Sequence, residues 1–103
     1  GLAVRSCLVL AVQADGSEVR TVEGVASGAT LDAVQEAFHR QHGLQCGFCT
    51  PGIVMSLVAA REEGAGLDDV LDEVLGGHLC RCTGYVNIVK AIQHAAATMQ
   101  GGA

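Results

Sequence analysis

Four of the five cysteines stand in two tight pairs whose spacing is typical of a metal site. Cys46 and Cys49 form a Cys-x-x-Cys pair, and Cys80 and Cys82 form a Cys-x-Cys pair further along the chain. If folding brings the pairs together, they make one four-thiolate site. Thiolates prefer soft metal centres, so zinc and an iron-sulfur cluster are the main candidates. The spacing alone leaves both open.

The composition limits what kind of protein can carry such a site. The 103 residues suffice for one small domain with a modest core, and half of them are apolar. Six basic against eleven acidic side chains give a net charge of −5, the wrong sign for a phosphate backbone. With two Phe, one Tyr and no Trp, no aromatic platform for bases is expected. We therefore expect no nucleic-acid partner.

The cysteine count and the hydropathy bear on the compartment. Five cysteines are an odd number, and no apolar leader is visible before them, which argues against a secreted disulfide framework. A reducing cytoplasm is the expected location. The longest uncharged stretch, residues 41–60, is interrupted by polar residues, Pro51 and several glycines, so no membrane span is expected.

Residues 4–23 have the pattern of a β-hairpin. A short apolar run reaches Val12, Asp15-Gly16 is a turn dipeptide, and residues 18–22 alternate polar with apolar or branched side chains. A two-stranded hairpin is marginal alone. We therefore interpret the segment as the end of a sheet domain whose beginning is absent.

From Thr30 onward the hydrophobic period becomes helical. The first helix is predicted to begin at the cap residue Thr30 and the second at Thr50. A third and a fourth helix are predicted over 68–75 and 85–98. The predicted fold class is therefore α+β, mainly an all-α four-helix domain that follows a β-hairpin.

The helical part contains a weak internal repeat. Each half reads as a helix, a glycine stop, a two-cysteine loop, a threonine and a second helix. The repeat predicts that Thr50 and Thr83 both begin helices, so that two positive helix ends point toward the cysteines. That arrangement suits a negatively charged group.

The residues around the cysteines resemble a known family. The two segments are residues 45–52 (QCGFCTPG) and 79–85 (LCRCTGY). They closely resemble the paired motifs of the molybdenum hydroxylases, the family of xanthine dehydrogenase, aldehyde oxidase and aerobic carbon monoxide dehydrogenase. The resemblance covers essentially the whole chain. It implies that one 2Fe-2S cluster is ligated by Cys46, Cys49, Cys80 and Cys82.

The resemblance also gives a meaning to the first segment. In the family a plant-type ferredoxin domain with a second 2Fe-2S cluster precedes the helical domain. The segment around Cys7 resembles the one that holds the fourth ligand of that cluster, whose other ligands would lie before Gly1. Without the family, Cys7 is better interpreted as a small buried strand cysteine. The resemblance thus implies a ferredoxin-type remnant over residues 1–26 and a helical 2Fe-2S domain over 27–103.

The resemblance further implies contacts with a molybdopterin cofactor held by a partner subunit. Gln45 is expected to hydrogen-bond the pterin, and Cys82 is expected to be the ligand nearest to it. His78 and Val86 depart from the family pattern, which commonly has asparagine and glutamine at these positions. The departures leave the ligands intact but change the side chains that could form hydrogen bonds around them.

The function implied by the resemblance is electron transfer. No nucleophile–base pair, carboxylate dyad or phosphate loop is visible, so substrate conversion on this chain is not expected. The implied role is the electron-transfer subunit of an oxidoreductase complex, with a large molybdopterin-binding and a medium FAD-binding subunit as partners. Carbon monoxide is favoured as the substrate over aldehydes and N-heterocycles. The alternatives are a zinc-stabilised helical interaction module and a cluster-bearing sensor, the latter disfavoured because no basic DNA-binding face is present.

Overall fold

The computed structural model describes residues 2–101, and the side chains of residues 2–99. Its regular elements are three short 3-10 turns followed by four α-helices. The turns span Ser6–Leu8, Ala11–Ala14 and Val22–Gly24. The helices are α1 (Ala33–Arg40), α2 (Thr50–Glu62), α3 (Leu71–Gly76) and α4 (Val86–Gly101). The prediction of a four-helix domain is therefore confirmed, although α3 is shorter than expected.

Helix α1 begins after Asp32 rather than at Thr30. The Asp32 carboxylate accepts a hydrogen bond from the Val34 amide at 2.9 Å, and the Gln35 side chain accepts one from the Asp32 amide at 3.0 Å. These two bonds form a capping box, which satisfies amides that have no partner inside the helix. Thr30 instead pairs with Ser27 in an isolated β-bridge.

The core is apolar and draws on all four helices. Helix α1 packs mainly against α4 and also contacts α2, which in turn contacts α3. The buried side chains are Val34, Ala37, Phe38, Ile53, Val54, Leu57, Val58, Leu67, Val74, Ile88, Ala91, Ile92, Ala95 and Ala96. This packing brings the loop between α1 and α2 beside the loop between α3 and α4.

Gly43 permits the close approach of α1 and α4. A Cβ at this position would lie 2.8 Å from a ring carbon of Phe38 and 3.1 Å from the Cβ of Ala91. The chain can therefore turn tightly at the end of α1 only because residue 43 has no side chain.

The predicted β-hairpin is wrong. Across the described residues the bridge between Ser27 and Thr30 is isolated, and residues 4–23 form turns and irregular segments. Most apolar side chains of this stretch face solvent, with Leu8 79% and Val12 80% exposed, whereas Val22 near its end packs against the core. A two-stranded hairpin needs a further strand or a helix against its apolar face. Here it is the end of the stretch, at the turn Val22–Gly24, that packs on α2. The described fold is therefore helical, without a sheet.

Polar contacts attach the first segment to the helices. Arg20 forms an ion pair with Glu62 at the end of α2. The Arg5 guanidinium donates to the carbonyl oxygen of Gly77 at 2.8 Å, just after α3. These exposed contacts each contribute little to the free energy of folding.

None of the helices that the structure describes is both long and apolar enough to cross a membrane.

Candidate metal centre

The cysteines lie in the two loops that the helix packing brings together. Cys46 and Cys49 precede α2, and Cys80 and Cys82 lie between α3 and α4. Cys49 and Cys80 are half-buried and pack against the core, whereas Cys46 and Cys82 are exposed. The site is therefore fixed to the core on one side and open to solvent on the other.

The thiols meet across the loops in two pairs. Contact with Cys82 contributes to the pKa shift of Cys46, and contact with Cys80 contributes to that of Cys49, so each contact joins one residue from each loop. The charge of Cys80 also acts on Cys46 and Cys82, so all four thiols lie near one another. No three Cys, His, Asp or Glu side chains within residues 2–101 gather in a way that would hold a single ion. One zinc ion needs all four sulfurs about 2.3 Å from one centre. A 2Fe-2S cluster takes four thiolate ligands, which the two cysteine loops can supply together.

In the outer pair the two thiols differ in acidity. The Phe48 amide donates to the Cys46 sulfur at 3.5 Å, and this bond, followed by the contact with Cys82, lowers the pKa of Cys46. The same contact with Cys46 raises the pKa of Cys82. Cys46 therefore loses its proton more readily than Cys82.

The inner pair has the same asymmetry. The Thr83 hydroxyl is the main cause that lowers the pKa of Cys80 to about 7. Burial, followed by the contact with Cys80, raises the pKa of Cys49. Metal centres bind the thiolate, so a thiol that ionises near neutral pH favours metal binding.

Tyr85 closes the loop that carries Cys80. Its hydroxyl accepts a hydrogen bond from the Cys80 amide at 2.9 Å and donates one to the His78 carbonyl oxygen at 3.0 Å. Its backbone has a φ of 68°, a left-handed conformation that costs a residue with a side chain about 1–2 kcal/mol. The two hydroxyl bonds hold Tyr85 in this conformation and fix the position of Cys80.

His78 attaches the same loop to α2. Its Nε2 lies 2.8 Å from the Ser56 hydroxyl, and its ring lies against Gly52, where a Cβ would come within 3.1 Å. Burial, followed by the charge of Arg5, lowers the pKa of His78, so the ring is neutral at neutral pH. His78, which stands where asparagine is common, therefore helps to hold the loop that carries Cys80.

Thr50 supplies a test of whether a cluster fits. It begins α2 directly after Cys49, and its Oγ1 is buried without a hydrogen-bond partner among the described residues. An unpaired buried hydroxyl costs about 1–3 kcal/mol. The hydroxyl can donate to an acceptor on a group bound next to it. The four thiols and this unpaired donor together fit an iron-sulfur cluster.

The remaining predicted site residues lie outside the thiol pairs. Gln45 is exposed directly before Cys46. Cys7 is exposed in the first 3-10 turn, so it is not the buried cysteine of a strand. The pterin contacts of Gln45 and Cys82 and the second-cluster role of Cys7 stay predictions.

The hydroxyl groups at the site were not predicted as hydrogen-bond partners of the ligand loop. Thr50 begins α2 as the repeat predicts, but Thr83 lies before α4, separated from it by Gly84 and Tyr85. Both of these residues have positive φ, which delays the helix. The sequence signal for both hydroxyl groups is the threonine that directly follows the second cysteine of each pair.

Comparisons with known proteins agree on one family. Residues 21–93 match the family model described as a 2Fe-2S binding domain. The chain is 50% identical over 104 residues to the caffeine dehydrogenase subunit gamma of Pseudomonas sp. strain CBB1, over 97% of this chain and 62% of that protein. It is 44% identical over 95 residues to the xanthine dehydrogenase iron-sulfur-binding subunit of Escherichia coli O157:H7, over 89% of this chain and 60% of that protein.

A solved structure has the same fold. Quinoline 2-oxidoreductase from Pseudomonas putida 86 superposes with a TM-score of 0.80 and 46% sequence identity, over 96% of this chain and 63% of that chain. The chain thus spans about 60% of the length of the proteins that it matches.

Proposed function

The chain belongs to the 2Fe-2S binding domain family, and on that premise we propose that it is the electron-transfer part of a molybdenum hydroxylase. A bound 2Fe-2S cluster supplies one-electron redox chemistry. The observation that carries the proposal is the meeting of Cys46 with Cys82 and of Cys49 with Cys80 across two loops. Within the proposal these four residues are the cluster ligands.

The chain's own residues prepare the site for such a group. The pKa of Cys46 is lowered and that of Cys80 is lowered to about 7, so one thiol of each pair ionises more readily than its partner. Tyr85 and His78 hold the second loop, which fixes the position of Cys80. Thr50 offers a buried hydroxyl.

The partners are proposed from the exposed side chains beside the thiols. Phe48 is 94% exposed, Leu79 is 91% exposed and Val86 is 60% exposed. Apolar side chains grouped at a surface commonly mark an interface. We propose that a large molybdopterin-binding subunit covers them, with Gln45 hydrogen-bonded to the pterin and Cys82 as the nearest ligand. A medium FAD-binding subunit is the proposed onward partner.

The first 26 residues are proposed to belong to a ferredoxin-type domain. Cys7 would then be a ligand of a second 2Fe-2S cluster. The exposed apolar side chains of Leu8, Val12 and Val19 support this assignment, because the rest of such a domain would cover them. Residues 27–103 form the helical domain in the same proposal.

The names of the relatives favour a substrate class. Caffeine, xanthine and quinoline, after which the matched proteins are named, are all nitrogen heterocycles. We therefore propose that the complex containing this chain acts on an N-heterocycle. Carbon monoxide, favoured by the sequence, and the cytoplasmic location stay untested predictions.

Metal analysis of the purified full-length protein tests the proposal. We expect visible absorption that dithionite bleaches, and we expect Cys46→Ser to remove about two irons and about two sulfides. Cys7→Ser is the matched control, because Cys7 lies outside the thiol pairs, and it should leave this cluster in place. Stoichiometric zinc and a colourless protein would support a zinc-stabilised interaction module instead.

A further inference from the structure

We propose that Thr83 sets the reduction potential at this site by donating its hydroxyl hydrogen to the Cys80 sulfur. The inference rests on the proposed function, because it requires a cluster bound to Cys80. Thr83 is a positioning residue in this scheme, since it acts through a ligand atom.

The geometry determines the direction of the hydrogen bond. Thr83 Oγ1 lies 3.0 Å from Cys80 Sγ, and the same oxygen accepts a hydrogen bond from the Tyr85 amide at 3.0 Å. A threonine hydroxyl has one hydrogen to donate, and a metal-bound thiolate has none. Cys80 Sγ must therefore accept, and the Tyr85 amide turns the hydroxyl hydrogen toward the sulfur.

The loop holds this hydroxyl in place. The Tyr85 side chain bonds both the Cys80 amide and the His78 carbonyl oxygen. Thr83 and Cys80 therefore lie in one turn of the chain, which these two hydrogen bonds of the Tyr85 side chain hold closed. Cys80 is also half-buried against the core, so its residue is only partly accessible to water.

The expected effect follows from charge. Reduction adds one negative charge to the bound group, and a donor to a ligand sulfur stabilises that charge. Removing the donor should lower the potential. At a fixed ambient potential we expect the ratio of reduced to oxidised protein to fall at least about threefold, which equals about 28 mV for a one-electron couple.

The test compares three variants in the full-length protein in its assembled complex. Thr83→Val removes the hydroxyl at similar volume, and Thr83→Ser keeps it. Thr98→Val is the matched control, because Thr98 is exposed on α4, away from both cysteine loops. The electron paramagnetic resonance signal of this site is identified by its loss in Cys46→Ser and followed in a redox titration.

A second measurement separates a hydroxyl donor from a loosened loop. In the reduced protein, electron–nuclear double resonance before and after exchange into D₂O detects exchangeable protons near the paramagnetic centre. We expect Thr83→Val to lose one such coupling and to have a lower potential, with iron and sulfide content unchanged. Thr83→Ser and Thr98→Val should match the parent protein in both measurements.

The outcomes distinguish this inference from the proposed function. A parent protein without iron and sulfide would overturn both. A fully loaded Thr83→Val protein with the parent potential and the parent exchangeable protons would overturn the inference alone. If Thr83→Val loses the cluster, Thr83→Ala removes the hydroxyl without the added methyl. Loss from both would also overturn the inference, because the hydroxyl would then govern assembly rather than potential.

Discussion

At the level of single residues, some side chains near the cysteines hold the chain in place by hydrogen bonds, whereas others are exposed. Tyr85 and His78 hold the loop around Cys80 by hydrogen bonds to the backbone and to Ser56. Gln45 is exposed beside Cys46. The cysteines could be predicted from their spacing, but the holding contacts could not, because Tyr85 and Ser56 gain their roles only through the folded path of the chain.

Gln45 provides the residue-level prediction. Gln45→Leu keeps the volume but removes the amide donor and acceptor. Loss of a buried interfacial hydrogen bond costs about 1–3 kcal/mol, so we expect slower reduction of the site by substrate in the assembled enzyme. Stopped-flow absorption measures that rate, and dithionite should still reduce the site fully.

The control for this prediction is Gln93→Leu, an exposed position on α4. It should leave both reductions unchanged. Unaltered substrate-driven reduction in Gln45→Leu would remove Gln45 from the electron path and leave Cys82 as the proposed contact with the pterin.

At the level of elements, the sequence predicts those helices whose apolar residues recur with a helical period. The apolar stripes of α1, α2 and α4 become the buried core, so these helices could be predicted. The start of α1 could not, because Thr30 and Asp32 are both good caps and the choice depends on a distant partner. The Arg61 guanidinium on α2 donates to the Asp32 carboxylate at 2.8 Å. The hairpin prediction fails for a similar reason, because strands with alternating polar and apolar residues form only when another part of the fold covers their apolar face.

The pH dependence of stability tests the cap of α1. Burial alone would raise the pKa of Asp32, but the hydrogen bonds from Arg61 and the Val34 amide and the charge of Arg61 together lower it below 3.8. A lowered folded pKa gives stability that is present above the unfolded value and lost as pH falls through the folded value. Asn is also a good cap. We therefore expect the melting temperature of Asp32→Asn to fall less on acidification than that of the parent protein.

Thermal unfolding followed by circular dichroism, from about pH 6 to about pH 2, checks this prediction. Asp69→Asn is the matched control, because it removes an exposed carboxylate from the turn before α3. An Asp32→Asn protein with the parent pH profile would show that the cap and its partner are not coupled to folding.

The packing of α1 on α4 gives a second prediction at this scale. A Cβ at Gly43 would meet Phe38 and Ala91, which are both buried. Overpacking of a core commonly costs about 1–3 kcal/mol. We expect Gly43→Ala to lower the melting temperature of the full-length chain.

Gly76→Ala is the matched control for that substitution. It adds the same methyl group at the end of α3, where a Cβ would meet no atom within 4 Å. The control should be neutral or slightly stabilising, since alanine favours helix. Equal melting temperatures for Gly43→Ala and the parent protein would mean that the contact between α1 and α4 can relax.

At the level of the whole molecule, the site depends on contacts between parts of the chain that are far apart in sequence. The pairing of Cys46 with Cys82 and of Cys49 with Cys80 requires the first helical half to pack on the second. No local pattern specifies which thiol meets which. The residue types of the site could therefore be predicted, whereas its pairing required the assembled fold.

The exposed apolar side chains beside the site carry the last prediction. Phe48 and Leu79 are 94% and 91% exposed, so they contribute almost nothing to the folding of this chain. Burial of one such side chain in an interface is worth about 1.5–3 kcal/mol. The double substitution Phe48→Ser and Leu79→Ser should therefore weaken association with the proposed large subunit about 100-fold or more. Iron content and melting temperature should stay unchanged.

Sedimentation of the complex at several concentrations measures the association, with Gln93→Ser on the exposed face of α4 as the control. If the double variant assembled like the parent protein, the partner would have to cover a different face, and Gln45 and Cys82, which lie in the same two loops, would lose their proposed place at the interface.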